Sequence, residues 1–212
     1  MPPPEPKPPI LASLHDAANL LTLAGVFSSL LAITFAFTGK LSQAAIGLLA
    51  AFIFDVIDGP VAKRLKGRTT TDQAIGANLD SLADVISAGV TLAVVFLAYG
   101  NFQPQYIPGA FCLVAAATLR LAYFNVHGLT DTSTTYTGLP TDLAIITFTT
   151  VLLLDQPLTH NTFQIVLYTT TLTIAALMVS TLPFPKLTGK PFYTIIALAL
   201  TLTLTHTAIA LT

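Results

Sequence analysis

The sequence predicts an all-α integral membrane protein, a bundle of about seven (six to eight) transmembrane helices. Three observations predict it. Charged residues make up 9% of the 212 and hydrophobic ones 53%, with a mean hydropathy of +0.75, whereas soluble domains are about a quarter charged. Apolar stretches near the ~20 residues that cross a ~30 Å hydrocarbon core recur along the chain. The connections between them are short and rich in turn residues: TGK, NFQPQ, DQPLTHN and PFPKLTGKP. A net charge of −1 gives no electrostatic footprint for nucleic acid.

Residues 1–15 open with MPPPEPKPPI, too rich in proline for a helix interior, and predict a disordered cytoplasmic tail. No basic segment, apolar core and small-residue cleavage site follow one another, so no removable signal peptide is expected. Residues 16–212 form a single transmembrane domain, with apolar stretches at 17–37, 42–63, 74–99, 106–125, 140–154, 162–182 and 192–211. The fifth is short, roughly 22 Å as a helix. The later stretches are threonine-rich (YTTTLTI, TLTLTHT), a composition that favours strands in water. In lipid the backbone must satisfy its own hydrogen bonds, and helix wins. With the N-terminus cytoplasmic, Lys7, Lys63, Arg64, Lys66, Arg68, Arg120, Lys186 and Lys190 share the inner face and only Lys40 lies outside.

The ionisable residues gather around DVIDGPVAKRLKG. Asp55 and Asp58, three apart, share a helix face at the end of the second stretch; Asp80 and Asp84, four apart, share one at the start of the third. A loop joins the two helices at the inner face, so they are antiparallel neighbours and the acid faces meet. Four converging carboxylates repel, and a cation must sit among them. Oxygen ligands without His or Cys suit magnesium, manganese or calcium. Salt bridges to Lys63, Arg64, Lys66 and Arg68 would account for any one acid but not for four in register. Those bases fit phosphate groups and topology better. Gly59, Ala62, Gly76 and Ala77 flank the acids and allow close approach of a helix or a ligand.

The pattern Asp55-x-x-Asp58-Gly59-x-x-Ala62-Lys63, then Gly76-x-x-x-Asp80-x-x-x-Asp84, resembles the signature of the CDP-alcohol phosphotransferases, integral membrane enzymes of phospholipid synthesis. LRLAYFNV (119–126), YTGLPTDLA (136–144) and ALMVSTLPFPK (176–186) are similar to the phosphatidylserine synthase branch. The resemblance implies transfer of the phosphatidyl group from CDP-diacylglycerol to the hydroxyl of L-serine, giving phosphatidylserine and CMP. It implies two divalent cations (Mg2+ or Mn2+) on Asp55, Asp58, Asp80 and Asp84, with Asp84 as general base. DAANLLT resembles the start of the family's first helix and implies that Asn19 contacts the cytidine diphosphate, alongside Gly59, Ala62, Lys63, Arg64 and Gly76. A homodimer in the prokaryotic cell membrane is implied too. Three positions depart from the family pattern. Lys63 replaces an Arg and loses its planar fork, with Arg64 next door; Tyr123 replaces a basic residue; and TDLA follows GLP in place of a small-residue and proline run.

A zwitterionic acceptor needs a partner for its carboxylate. The inner-face candidates are Arg120, Asn125, the Gly138 backbone and Lys186. Arg120 stands out because a charge within an apolar run is costly. Asp142 is read as a partner of Arg120, a partner of the serine ammonium or a cap of the helix after Pro140, with the cap favoured. His15, His127, His160 and His206 share no spacing or partner and predict no metal site. Cys112 reads as a buried small hydrophobe, and Tyr99, Tyr106 and Tyr123 as interfacial aromatics. Two alternatives remain: another acceptor (glycerol phosphate or inositol phosphate) on the same chemistry, and a membrane cation transporter. The scarcity of bases after the motif disfavours the first, and acids confined to one face disfavour the second.

Overall fold

The first long helix begins at Asp16, whose Oδ1 accepts from the Ala18 N–H at 2.9 Å and satisfies one orphan donor of the first turn. In the computed structural model, which describes residues 9–128, 135–186 and 189–212, this helix is α1 (Ala17–Phe37). After it come α2 (Leu41–Arg64), α3 (Thr70–Tyr99), α4 (Ile107–His127), α5 (Thr141–Leu152), α6 (His160–Met178) and α7 (Lys190–Leu211). The expected disordered tail divides. Residues 1–8 lie outside the described residues, whereas Ile10–His15 is a 3₁₀ helix, tied to α1 where the Asn19 amide donates to the Ser13 carbonyl at 3.0 Å.

Among the described residues, five helices are long and apolar enough to cross a membrane: α1, α2, α3, α4 with the turn before it, and α7. At 12 residues α5 is about 18 Å long, and a 3₁₀ turn (Leu153–Asp155) extends it. α6 has 19 residues, but His160, Asn161, Gln164 and its threonines dilute its apolar character. Large apolar side chains cover the outside as well as the core. Phe27, Leu30, Phe111 and Leu204 face outwards, while Phe52, Phe96, Phe148 and Phe163 are wholly enclosed. Helices apolar all round suit a lipid surrounding. Cys112 lies exposed beside Phe111, not buried as expected, because that face of α4 carries no neighbouring helix.

Helix packing rests on small residues. A Cβ on Gly47 would come within 2.9 Å of the Ala32 nitrogen and the Ser28 carbonyl oxygen, so α1 and α2 approach backbone to backbone. A Cβ on Gly89 would be 3.2 Å from that of Ala117, so α3 also packs closely on α4, though less tightly. Gly89 lies in a π-helical stretch of α3, Val85–Thr91, which starts directly after Asp84. Such stretches shift the faces of a helix and recur at functional sites.

The expectation of helices and loops alone missed one element. β1 (Thr135–Thr137) pairs antiparallel with β2 (Pro183–Pro185), with Tyr136 opposite Phe184, and ties the lead-in to α5 to the end of α6. The histidine reading also needs correction, since two have partners. His206 Nε2 lies 3.0 Å from the Thr149 carbonyl oxygen, linking α7 to α5, and His160 Nδ1 lies 3.0 Å from the Tyr99 hydroxyl. Tyr99 and Tyr106 are buried in an aromatic cluster with Phe96, Phe163 and Tyr168.

Candidate active site

The carboxylates come from the adjoining ends of α2 and α3. α2 runs through Asp55 and Asp58 to Pro60, whose ring removes the backbone bond to Val56 just as the helix finishes. The chain then turns to Thr69, which starts α3 with a reciprocal cap: Asp72 N–H donates to Thr69 Oγ1 at 3.1 Å, and Thr69 N–H to Asp72 Oδ2 at 2.9 Å. Ligand oxygens of Asp55, Asp58 and Asp80 lie within 4.8 Å of one another. Asp58, 7% exposed, accepts from Thr22 Oγ1 on α1. Asp84 accepts from Thr141 Oγ1 on α5 at 2.9 Å.

A fifth acid joins them. Asp142 does not cap α5: Pro140 holds that position with no side-chain hydrogen bond, and Asp142 is the second residue of the helix, which packs on α2. Its carboxyl is within hydrogen-bond reach of Asp55, which is within reach of Asp80. All five acids line one cavity of about 240 Å³, together with Arg120, Tyr136 and Thr141. Burial, and then the neighbouring Asp142 carboxylate, raise the Tyr136 phenol above its usual pKa, so it remains a neutral donor. Carboxylates this close repel, and the cavity offers one cationic side chain to five anionic ones. An all-oxygen donor set with surplus negative charge fits hard divalent cations.

A second cleft, of about 530 Å³, shares Asp58, Gly59 and Asp80 with the first. Asn19, Ala62, Lys63, Gly76 and Arg68 line the rest of its wall. Arg64 is exposed and not part of it; its place is taken by Arg68, one of the four bases suited to phosphate groups and topology. Arg68 Nε is held at 2.7 Å from Asp16 Oδ2, so one aspartate both caps α1 and fixes this guanidinium. A Cβ on Gly76 would stand 2.7 Å from Arg68 Nη2 and 3.3 Å from Asn19 Oδ1.

The four acceptor candidates separate. Arg120 is 8% exposed and lines the acid cavity, and its Nε has no hydrogen-bond partner. Asn125, exposed, accepts from Ser81 Oγ at 2.9 Å, and Ser81 lines the cavity. The Gly138 N–H is committed to the Leu182 carbonyl at 3.0 Å and cannot serve as the expected donor. With φ +76°, this glycine makes a turn in which a Cβ would collide with the Met178 carbonyl oxygen. Lys186, half-buried after β2, does not line the cavity. Arg68 was grouped with the bases suited to phosphate and topology and Asp142 was favoured as a cap, whereas Thr22 and Thr141 were missed. Only Thr22 left a signal, at i+3 from Asn19 on the face that Asp16 begins.

Comparison with known proteins shows the family. The model of the family described as CDP-alcohol phosphatidyltransferase matches residues 15–206. The chain is 32% identical over 180 residues to an archaetidylserine synthase of Methanothermobacter thermautotrophicus, covering 84% of this chain and 73% of the relative. It is 31% identical to a CDP-diacylglycerol–serine O-phosphatidyltransferase of Helicobacter pylori, over 82% of this chain and 73% of that one. A protein of the same name from Methanocaldococcus jannaschii is 33% identical, over 72% and 68%.

Proposed function

The chain belongs to the CDP-alcohol phosphatidyltransferase family, and from that premise we propose that it transfers the phosphatidyl group of CDP-diacylglycerol, or of its ether-linked counterpart, to the hydroxyl of L-serine and releases CMP. The observation that carries this reading is the meeting of two cavities at Asp58, Gly59 and Asp80, one with a basic wall and one with an acidic floor. The basic cleft suits the CDP moiety. Lys63 and Arg68 bind phosphate oxygens there, Asn19 contacts the nucleotide, and Gly59, Ala62 and Gly76 keep the wall low enough for the pyrophosphate to reach the acids. Arg64, outside the cleft, serves orientation.

Asp55, Asp58, Asp80 and Asp84 would hold two divalent cations, Mg2+ or Mn2+, which when bound neutralise the pyrophosphate and the departing phosphate. Asp84 takes the proton from the serine hydroxyl as that oxygen attacks the lipid-bearing phosphorus. The new O–P bond forms as the bond to the CMP oxygen breaks, and CMP leaves with that electron pair. Thr141, donating to Asp84 Oδ2, fixes the carboxylate and leaves Oδ1 for the proton. Arg120 receives the acceptor carboxylate, Asn125 supports this wall through Ser81, and Lys186 adds positive charge at the rim.

The excess of lysine and arginine at the acid end favours a cytoplasmic site and N-terminus. All seven helices would then cross the bilayer, α5 and α6 completing the five that meet the length and hydropathy requirement, and the resemblance favours a homodimer. The test is CMP release from CDP-diacylglycerol and from the ether-linked donor, with and without L-serine and Mn2+. Release that needs both and falls at least a hundredfold in Asp84→Asn supports the reading. Release with glycerol phosphate or inositol phosphate in place of serine would keep the site and change the acceptor. Metal flux into liposomes without CMP formation would overturn it in favour of transport.

A further inference from the structure

Asp142 and Arg120 face the same cavity without forming an ion pair: Asp142 has only another carboxyl, Asp55, within hydrogen-bond reach. The Arg120 side chain is more than nine-tenths buried and its Nε is without a partner. Among the described residues the ion pair is Asp16–Arg68, so Asp142 and Arg120 feel each other's charge without closing to contact distance. A buried guanidinium and a carboxylate would ordinarily collapse onto each other, because leaving either alone in a low dielectric is costly. Here α4 holds one and the first turn of α5 the other, and the space between them stays open.

Four carboxylates balance two divalent cations, which leaves one negative and one positive side chain over. An amino acid carries the complementary pair of charges. We propose that Asp142 recognises the α-ammonium of the acceptor while Arg120 holds its carboxylate, so that these two residues set the acceptor class to a small amino acid. The inference rests on the acceptor reading above and deepens it.

The neighbouring contacts place the hydroxyl as well. Thr141, the residue before Asp142, donates to Asp84. In serine the ammonium and the hydroxyl are on adjacent carbons, so an ammonium on Asp142 sets the hydroxyl beside Asp84, the proposed base. The cavity, about 240 Å³, has room for an acceptor of seven non-hydrogen atoms. A dianionic polyol phosphate in the same place would meet Asp142 with its like charge. Asp142 is thus both an attraction for serine and a repulsion against the rival acceptors.

The test compares wild type, Asp142→Asn and Asp142→Glu with three alcohols: L-serine, glycerate (no ammonium) and ethanolamine (no carboxylate). Mn2+ affinity is measured by calorimetry as a readout independent of turnover. In Asp142→Asn the KM for serine should rise about 10- to 100-fold, the loss of one charge-assisted contact. Its KM for CDP-diacylglycerol and its Mn2+ affinity should hold, and its discrimination against glycerate should shrink by the same factor. Asp142→Glu should recover part of the loss. In Arg120→Gln, serine should weaken and ethanolamine should not. A serine KM within twofold of wild type in Asp142→Asn overturns the proposal, as does equal loss for serine and glycerate. A fall in Mn2+ affinity with serine unchanged would make Asp142 a metal ligand and overturn it too. Wild-type protein that makes no CMP from serine overturns the acceptor reading itself, a result distinct from any variant's.

Discussion

Thr22 and Thr141 perform the same task from opposite sides of the acid cluster. Each spends its hydroxyl proton on one carboxylate, Asp58 or Asp84, and so fixes which oxygens of that group stay free. Partners of this outer kind typically govern metal affinity by 10- to 100-fold. Thr22→Val should weaken Mn2+ binding by about that factor while Thr22→Ser retains it, measured by calorimetry without substrate. Asp58→Asn should abolish metal-dependent thermal stabilisation altogether. At this scale the aspartates of α2 and α3 were legible because spacings of three and four fix a shared helix face whatever the rest of the chain does. Which reading of Asp142 holds, and which of the bases enters the cleft, were not. Asp142 reaches the site only because α5 docks on α2 behind the β1–β2 pair, a long-range event with no local signature. Arg68 and Arg64 belong to the same basic run, and the turn between α2 and α3 selects one for the cleft.

Among the elements, α1 and α2 show how little room the scaffold leaves. Gly47 meets backbone atoms and the Cβ of Ala32, so an added group has nothing flexible to push aside. Gly47→Val should cost about 1–3 kcal/mol and lower the thermal midpoint in detergent, with loss of turnover following loss of fold. The helices themselves were readable from their apolar lengths: the stretch at 17–37 coincides with α1 and that at 42–63 falls within α2. α3 starts earlier than hydropathy suggested because the Thr69–Asp72 capping box, not the first apolar residue, sets its origin. Its π-helical stretch left no trace in composition. Nor did the three-residue strands, since TYT runs straight into the turn glycine Gly138 and PFP is mostly proline.

At the scale of the molecule, nearly all polar chemistry is concentrated at one end of an otherwise apolar bundle. The far end is closed by the Phe96, Tyr99, Tyr106 and Tyr168 cluster. That polarity was legible in the distribution of nine lysines and arginines, because a bilayer sorts such residues by side. The division of the polar end into two chambers was not, since it depends on how helices distant in sequence lean on one another. The shared wall at Asp58, Gly59 and Asp80 has a consequence for the order of events. With separate chambers, the nucleotide-bearing lipid and the alcohol can be resident together, and no side chain needs to carry the phosphoryl group between them. Kinetics should therefore show a ternary complex, with intersecting rather than parallel double-reciprocal lines. A donor made chiral at the transferred phosphorus should emerge with its configuration inverted, the stereochemical record of a single displacement.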